Sequence, residues 1–157
     1  MQDTITDTQA ETLIRECQKE AQKSIDEGNP PFGCVITDMR GNILIRAHNT
    51  QNTDNDPTAH AEIKALSQLG RKRGSRYLDD CVIFANAESC SMCMSASIKA
   101  KITVFYYGAP AEAKMNPWLT MQDVAAKATT SLELHGSILA EECATQISGG
   151  RRQEAKL

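Results

Sequence analysis

The sequence predicts an α/β protein, a three-layer α/β/α sandwich built on a five-stranded mixed sheet. Three observations carry that prediction. Helix-period and strand-period segments alternate along the chain, which places one sheet between helices on both faces. The first two strands, "CVITDM" and "NILIRAHN", are joined by Arg40 and Gly41 as a hairpin turn, so one pair is antiparallel and the sheet is mixed. The segment "DCVIFANA" is apolar nearly throughout, as a central strand buried on both faces must be.

The elements follow in order. A first helix is expected from Thr8 to Glu27, with Leu13, Ile14, Cys17, Ala21 and Ile25 at helical spacing and Gly28 to end it. "NPPFG" is a turn before the hairpin. "NTDNDP" is a polar loop, and Asp56 with Pro57, or Thr58, starts the next helix. That helix carries "AHAEIKALSQL" and stops at Gly70, leaving "RKRGSR" as a basic loop. After the central strand come a short helix in "SMCMSASIKA" and a strand in "KITVFYYG". "NPWLTMQDVAAKA" reads as a loop and a helix capped by Thr120, and "SLELHG" as the fifth strand. "SILAEECATQI" is the last helix, with Ser137 as its cap and glutamates in its first turns.

At 157 residues, with 41% hydrophobic and 24% charged residues, the chain suits a single domain over 1–157, with its core at about 8–147 and a frayed tail at 148–157. The net charge of -3 gives no global attraction to a polyanion. No apolar run reaches the length of a membrane span. The opening "MQDTITDTQAETL" lacks the basic start and apolar stretch of a signal peptide, so a cytoplasmic location is expected. The six cysteines are then thiols or metal ligands rather than disulfides. Cys17, Cys34, Cys81 and Cys143 fall on apolar patterns and read as core thiols. His48 and His135 read as surface or strand-end residues.

Cys90 and Cys93 stand apart. Three positions separate them, so they share one helix face. Near a helix N-terminus the dipole favours their thiolates, the form that binds zinc. A C-x-x-C by itself also fits a redox pair, half of a structural zinc site or a coincidence in the core. His60 supplies a third ligand, and three protein ligands leave tetrahedral zinc one open position, as in catalytic sites. Zinc in such a site brings the pKa of a water towards about 7, and Glu62 is the natural group to move the proton. His60 and Glu62 are two residues apart and do not share a helix face, so both reach one site only if it lies off the helix N-terminus. The order H-x-E and then C-x-x-C matches the signature of zinc nucleobase deaminases.

With these motifs the sequence resembles the cytidine deaminase-like superfamily, in its branch of bacterial guanine deaminases and tRNA adenosine deaminases. "NDPTAHAEI" looks like both groups; "PPFG" and "YLDDCVIF" look like the guanine deaminases and "GSILAEEC" like the tRNA enzymes. The resemblance covers roughly Glu11 to Ile147. It implies a cytidine deaminase-like five-stranded sandwich, one zinc per subunit and a homodimer. It also implies His60, Cys90 and Cys93 as ligands and Glu62 as the proton shuttle. Asn49 occupies the place of an asparagine that hydrogen-bonds the substrate, though a strand-end turn residue explains it equally. Phe32 matches a pocket position where it could stack on a base, or it is a core aromatic. Ala61 and Ser89 complete the candidate substrate-binding positions with Trp118, which is either a lid or a packing anchor. Ser89 replaces the family proline and can cap the helix in its stead.

The resemblance implies a zinc-dependent hydrolase that exchanges an exocyclic amine for oxygen on a free base or nucleoside. A guanine-like aminopurine comes first, with cytosine as a further option. The alternative is adenosine deamination in tRNA, for which "RKRGSR" could contact phosphates. A non-catalytic zinc module predicts a fourth ligand, Cys81 or Cys34, and a redox protein predicts a Cys90–Cys93 disulfide.

Overall fold

In a computed structural model the described residues are 5–112 and 119–157, and they follow the expected alternation with one addition. Helix α1 (Asp7–Asp26) starts at Thr6, whose hydroxyl accepts from the Gln9 amide while the Gln9 side chain accepts from the Thr6 amide. Its buried face carries Leu13, Ile14, Cys17, Ala21 and Ile25, the stripe expected from the spacing. Strands β1 (Gly33–Asp38) and β2 (Ile43–His48) form the hairpin. The Asp38 carboxylate closes its turn by accepting from the Arg40 and Asn42 amides.

Then come α2 (Gln51–Asp54), α3 (Ala61–Arg73), β3 (Cys81–Ala87), α4 (Ser91–Lys99), β4 (Val104–Ala109), α5 (Met121–Lys127), β5 (Glu133–His135) and α6 (Ala140–Glu154). The strands lie in the order β2-β1-β3-β4-β5. β1 pairs antiparallel with β2 and β3, while β3, β4 and β5 run parallel, so the sheet is mixed. Side chains alternate across it. Cys34 and Ile36 of β1 with Cys81 and Ile83 of β3 face α3, α4 and α5; Val35, Val82 and Phe84 face α1 and α6. β3 is buried along most of its length, as a strand with helices on both faces must be. Cys17, Cys34, Cys81 and Cys143 are buried thiols. No helix of the described residues is long and apolar enough to cross a membrane.

Five local expectations are corrected. The segment 51–54 is helical, because the Asn29 side-chain oxygen accepts from the Asn52 and Thr53 amides and caps a turn that local sequence leaves open. The next helix begins at Ala61, not at 56–58. Asp56 instead folds back on the Thr58 amide and hydroxyl, and the Thr50 amide holds the Ala59 carbonyl in extended chain. Its end is Gly74, left-handed at φ 67°, so Arg71, Lys72 and Arg73 form its last turn, where cations suit the dipole. Ser137 does not cap α6. Ser137 and Leu139 both have positive φ, and the Ile138 amide donates to the Tyr107 carbonyl, which delays the helix to Ala140.

The fifth correction matters most for the site. The tail is not frayed: α6 is helical to Glu154. Gly150 lets it dock, since a Cβ there would lie 2.5 Å from Pro31 Cβ and 2.8 Å from Ile25 Cδ1. Gln146 adds a 2.8 Å hydrogen bond to the Gln18 carbonyl of α1.

A second glycine sets the approach of α1 to the sheet. A Cβ on Gly33 would collide with the Cys17 carbonyl and sit 2.5 Å from the Ala21 amide nitrogen. Gly33→Ala should therefore cost about 3 kcal/mol, the upper part of the usual range for overpacking. Thermal unfolding should show Tm falling by roughly 6–12 °C; an unchanged Tm would mean that α1 can move away freely.

Candidate metal centre and its cavity

His60 is the N-cap of α3 and Cys90 the N-cap of α4. Both helices thus point their free N–H ends at one place, and Cys93 joins from the first turn of α4. His60 Nδ1 lies 3.5 Å from Cys90 Sγ and 3.5 Å from Cys93 Sγ, and the two sulfurs are 3.6 Å apart. Bonds of about 2.0–2.1 Å to nitrogen and 2.3 Å to sulfur at tetrahedral angles require roughly 3.6 Å between N and S and roughly 3.8 Å between sulfurs. The donor triangle fits zinc. Among the described residues no fourth His, Cys, Asp or Glu joins it, so Cys34 and Cys81 stand outside the set. Cys90 and Cys93 are not joined in a disulfide.

The electrostatics favour metal binding. Cys90 is pushed down to about 4, chiefly by a hydrogen bond from Cys93 and also by contact with His60, against the opposing effect of burial. The Cys93 pKa rises because its thiol donates to Cys90 and is buried. The His60 pKa is raised by its hydrogen bond with Cys90. The shared hydrogen bond with Cys93 and the contact with His60 favour the Cys90 thiolate, and thiolates are the ligands zinc takes.

Glu62 lines the cavity beside this triangle and is 6% exposed. Burial is the main cause of its raised pKa, with the Cys90 charge second. Its neighbour Ser89 interacts with it through the hydroxyl. The expected Ser89 cap is not formed: Cys90 occupies the cap position of α4. Ala61 and Ser89, expected as substrate contacts, are buried and do not line the cavity. Ala61, the first residue of α3, packs into the core, and the Ser89 hydroxyl lowers the Glu62 pKa against the larger effect of burial. Trp118 lies outside the described residues.

The cavity measures about 220 Å³ and opens at one end of the sheet. Phe32 and Asn49 line it, as expected. The Asn49 backbone amide donates to the Phe32 carbonyl (3.0 Å). Its side chain accepts from the Gln51 amide and donates to the Gln51 side chain, so Asn49 is a turn residue and a wall residue at once. Asn86 was missed by sequence reasoning. Its side chain accepts from the Gly33 amide and donates to the Pro31 carbonyl, clamping the backbone on both sides of Phe32. Glu88 holds the Ala111 amide at 2.9 Å. Arg151 of α6 was also missed, because its segment read as a tail. Its guanidinium carbon sits 5.2 Å from the centre of the Phe32 ring.

A mixed sheet with helices on both faces, carrying a His-Cys-Cys set at two helix N-termini beside a buried glutamate, defines a deaminase-type zinc domain. The chain belongs to the family of the cytidine and deoxycytidylate deaminase zinc-binding region, whose model matches residues 7–109. It is 35% identical over 100 residues to a guanine deaminase of Bacillus subtilis, covering 63% of this chain and 64% of that one. It is 31% identical over 99 residues to a tRNA-specific adenosine deaminase of Aquifex aeolicus, covering 63% of this chain and 65% of that one. A solved guanine deaminase from Nitrosomonas europaea superposes with a TM-score of 0.77 at 19% identity, over 92% of this chain and 84% of that one. The chain thus spans slightly less than two thirds of the two curated relatives.

Proposed function

We propose that this protein is a zinc-dependent hydrolytic deaminase that replaces an exocyclic amine of a nucleobase or nucleoside with oxygen and releases ammonia. The observation that carries this reading is the tetrahedral donor triangle of His60, Cys90 and Cys93 with the buried carboxylate of Glu62 in the same small cavity. Zinc held by His60, Cys90 and Cys93 would supply a water activated for attack at neutral pH. Glu62 takes one proton from the attacking water and passes it to the ring nitrogen, then takes the second from the hydroxyl left on the ring carbon and passes it to the departing amine, so that the two water protons become the ring N–H and the third hydrogen of ammonia. Burial supports this role, since a carboxylate with a raised pKa takes up a proton from water more readily than an ordinary one. Phe32 offers a stacking face and Asn49 a polar edge that orient the ring.

A guanine-like aminopurine is the favoured substrate, with cytosine next. Pockets for drug-sized ligands measure about 300–1,000 Å³; the cavity, at about 220 Å³, suits a single ring system such as a free base. The reading includes a homodimer in the cytoplasm. The similarity to a tRNA-specific adenosine deaminase keeps adenosine in an RNA loop as the second reading.

The test is ammonia release by the zinc-loaded protein from guanine, adenine, cytosine, their nucleosides, aminotriazines and an anticodon stem-loop with adenosine at the wobble position. Turnover of a free base or nucleoside is the expected result. Turnover of the stem-loop alone would overturn the small-molecule reading, and no turnover with zinc bound would favour a non-catalytic zinc module.

A further inference from the structure

The last helix reaches the cavity from the layer opposite the metal centre. His60, Glu62 and Cys90 stand at the N-termini of α3 and α4, on one face of the sheet, whereas α6 packs with α1 on the other. Gly150 seats α6 against Pro31, and Ile147 and Arg151, one turn apart, line the cavity. A flat ring whose aminated carbon lies at the metal end therefore turns its far edge towards Arg151.

Arg151 has a chemistry that narrows what that edge carries. A guanidinium donates and never accepts, so it fits an oxygen and not an N–H. It lies over Phe32, so the group that reads the edge and the face proposed for stacking are held together. Glu88 and Glu112 line the same cavity with Arg151, so the lining is mixed in charge and not the cationic cluster that phosphate recognition uses. A neutral ring oxygen needs no such cluster, and the cavity is small enough to favour a bare ring over a nucleotide.

We propose that Arg151 is a specificity-determining residue whose guanidinium donates to a ring carbonyl remote from the aminated carbon, selecting oxo-bearing amino rings over amino rings without that oxygen. The inference rests on the deaminase reading above, but its test does not depend on which base is turned over.

The experiment compares wild type with Arg151→Leu and Arg151→Lys on matched pairs: guanine against 2-aminopurine, and cytosine against 4-aminopyrimidine. Leucine should lower kcat/KM for the oxo member about 10- to 100-fold more than for its partner, the range of a hydrogen bond to a charged group. Lysine should restore part of the difference. Equal losses on both members would overturn the proposal. So would a wild-type preference for the ring without oxygen, or an Arg151-dependent preference for guanosine monophosphate over guanine, which would assign the guanidinium to phosphate. Calorimetric titration of the zinc-loaded protein with hypoxanthine and with purine, neither of which carries an amine to lose, gives a readout without turnover. Hypoxanthine should bind more tightly than purine in wild type, and Arg151→Leu should erase that advantage. If hypoxanthine keeps its advantage in the variant, or never has one, the proposal fails. Failure of the deaminase reading shows separately, as no ammonia from wild type on any substrate.

Discussion

Glu62→Gln should retain its zinc and its fold and lose turnover by at least about 10²–10⁴-fold, the contribution of a positioned general acid–base group. Glutamine keeps the volume and the polar contacts of the side chain but cannot carry a proton between water, ring and leaving group. Zinc content should not change, because Glu62 is outside the donor triangle. Glu62→Ala should show the same retention of zinc with turnover abolished. Metal analysis and ammonia release on the same preparation check both halves. Retained activity would remove Glu62 from the mechanism, and lost zinc would make it a ligand.

Cys93→Ala is expected to take zinc from one per chain to near none, and turnover with it. Cys93 is fully buried, so nothing from solvent can take the place of the missing sulfur without rearrangement. His60 and Cys90 alone hold two corners of a tetrahedron, which is too few for the site. Circular dichroism should stay close to wild type, since Cys93 is on a helix whose alanine is a better former than cysteine. Cys34→Ala and Cys81→Ala serve as controls with unchanged zinc, because neither belongs to the cluster. An unchanged metal content in Cys93→Ala would break the ligand assignment.

Much of this was legible in the sequence for a definite reason. The amphipathic stripe of α1, the apolar run of β3 and the hairpin turn at Gly41 are local patterns with one physical meaning each. The Thr120 cap was equally readable, because its partner, which the structure shows to be Asp123, lies within one turn. The donor set was readable because each half is compact in sequence. His60 and Glu62 lie two residues apart, Cys90 and Cys93 three, and each half begins a helix.

The errors share the opposite cause. The α2 turn depends on Asn29, more than twenty residues upstream. The start of α6 depends on a carbonyl of β4. The end of α6 depends on the space between Pro31 and Ile25, which only a glycine fits. No local propensity contains these contacts.

The sequence by itself thus determined the fold class, the helical and strand periods, and the residue types able to hold a zinc and move a proton, because those follow from spacing within single elements. The tertiary structure alone decided which residues share the cavity. Phe32 is held there by Asn86 from another strand, and Arg151 is brought over it by a helix whose final turns read as a loose tail. The physical reason is that packing between layers, and not sequence spacing, sets how side chains far apart in the chain meet.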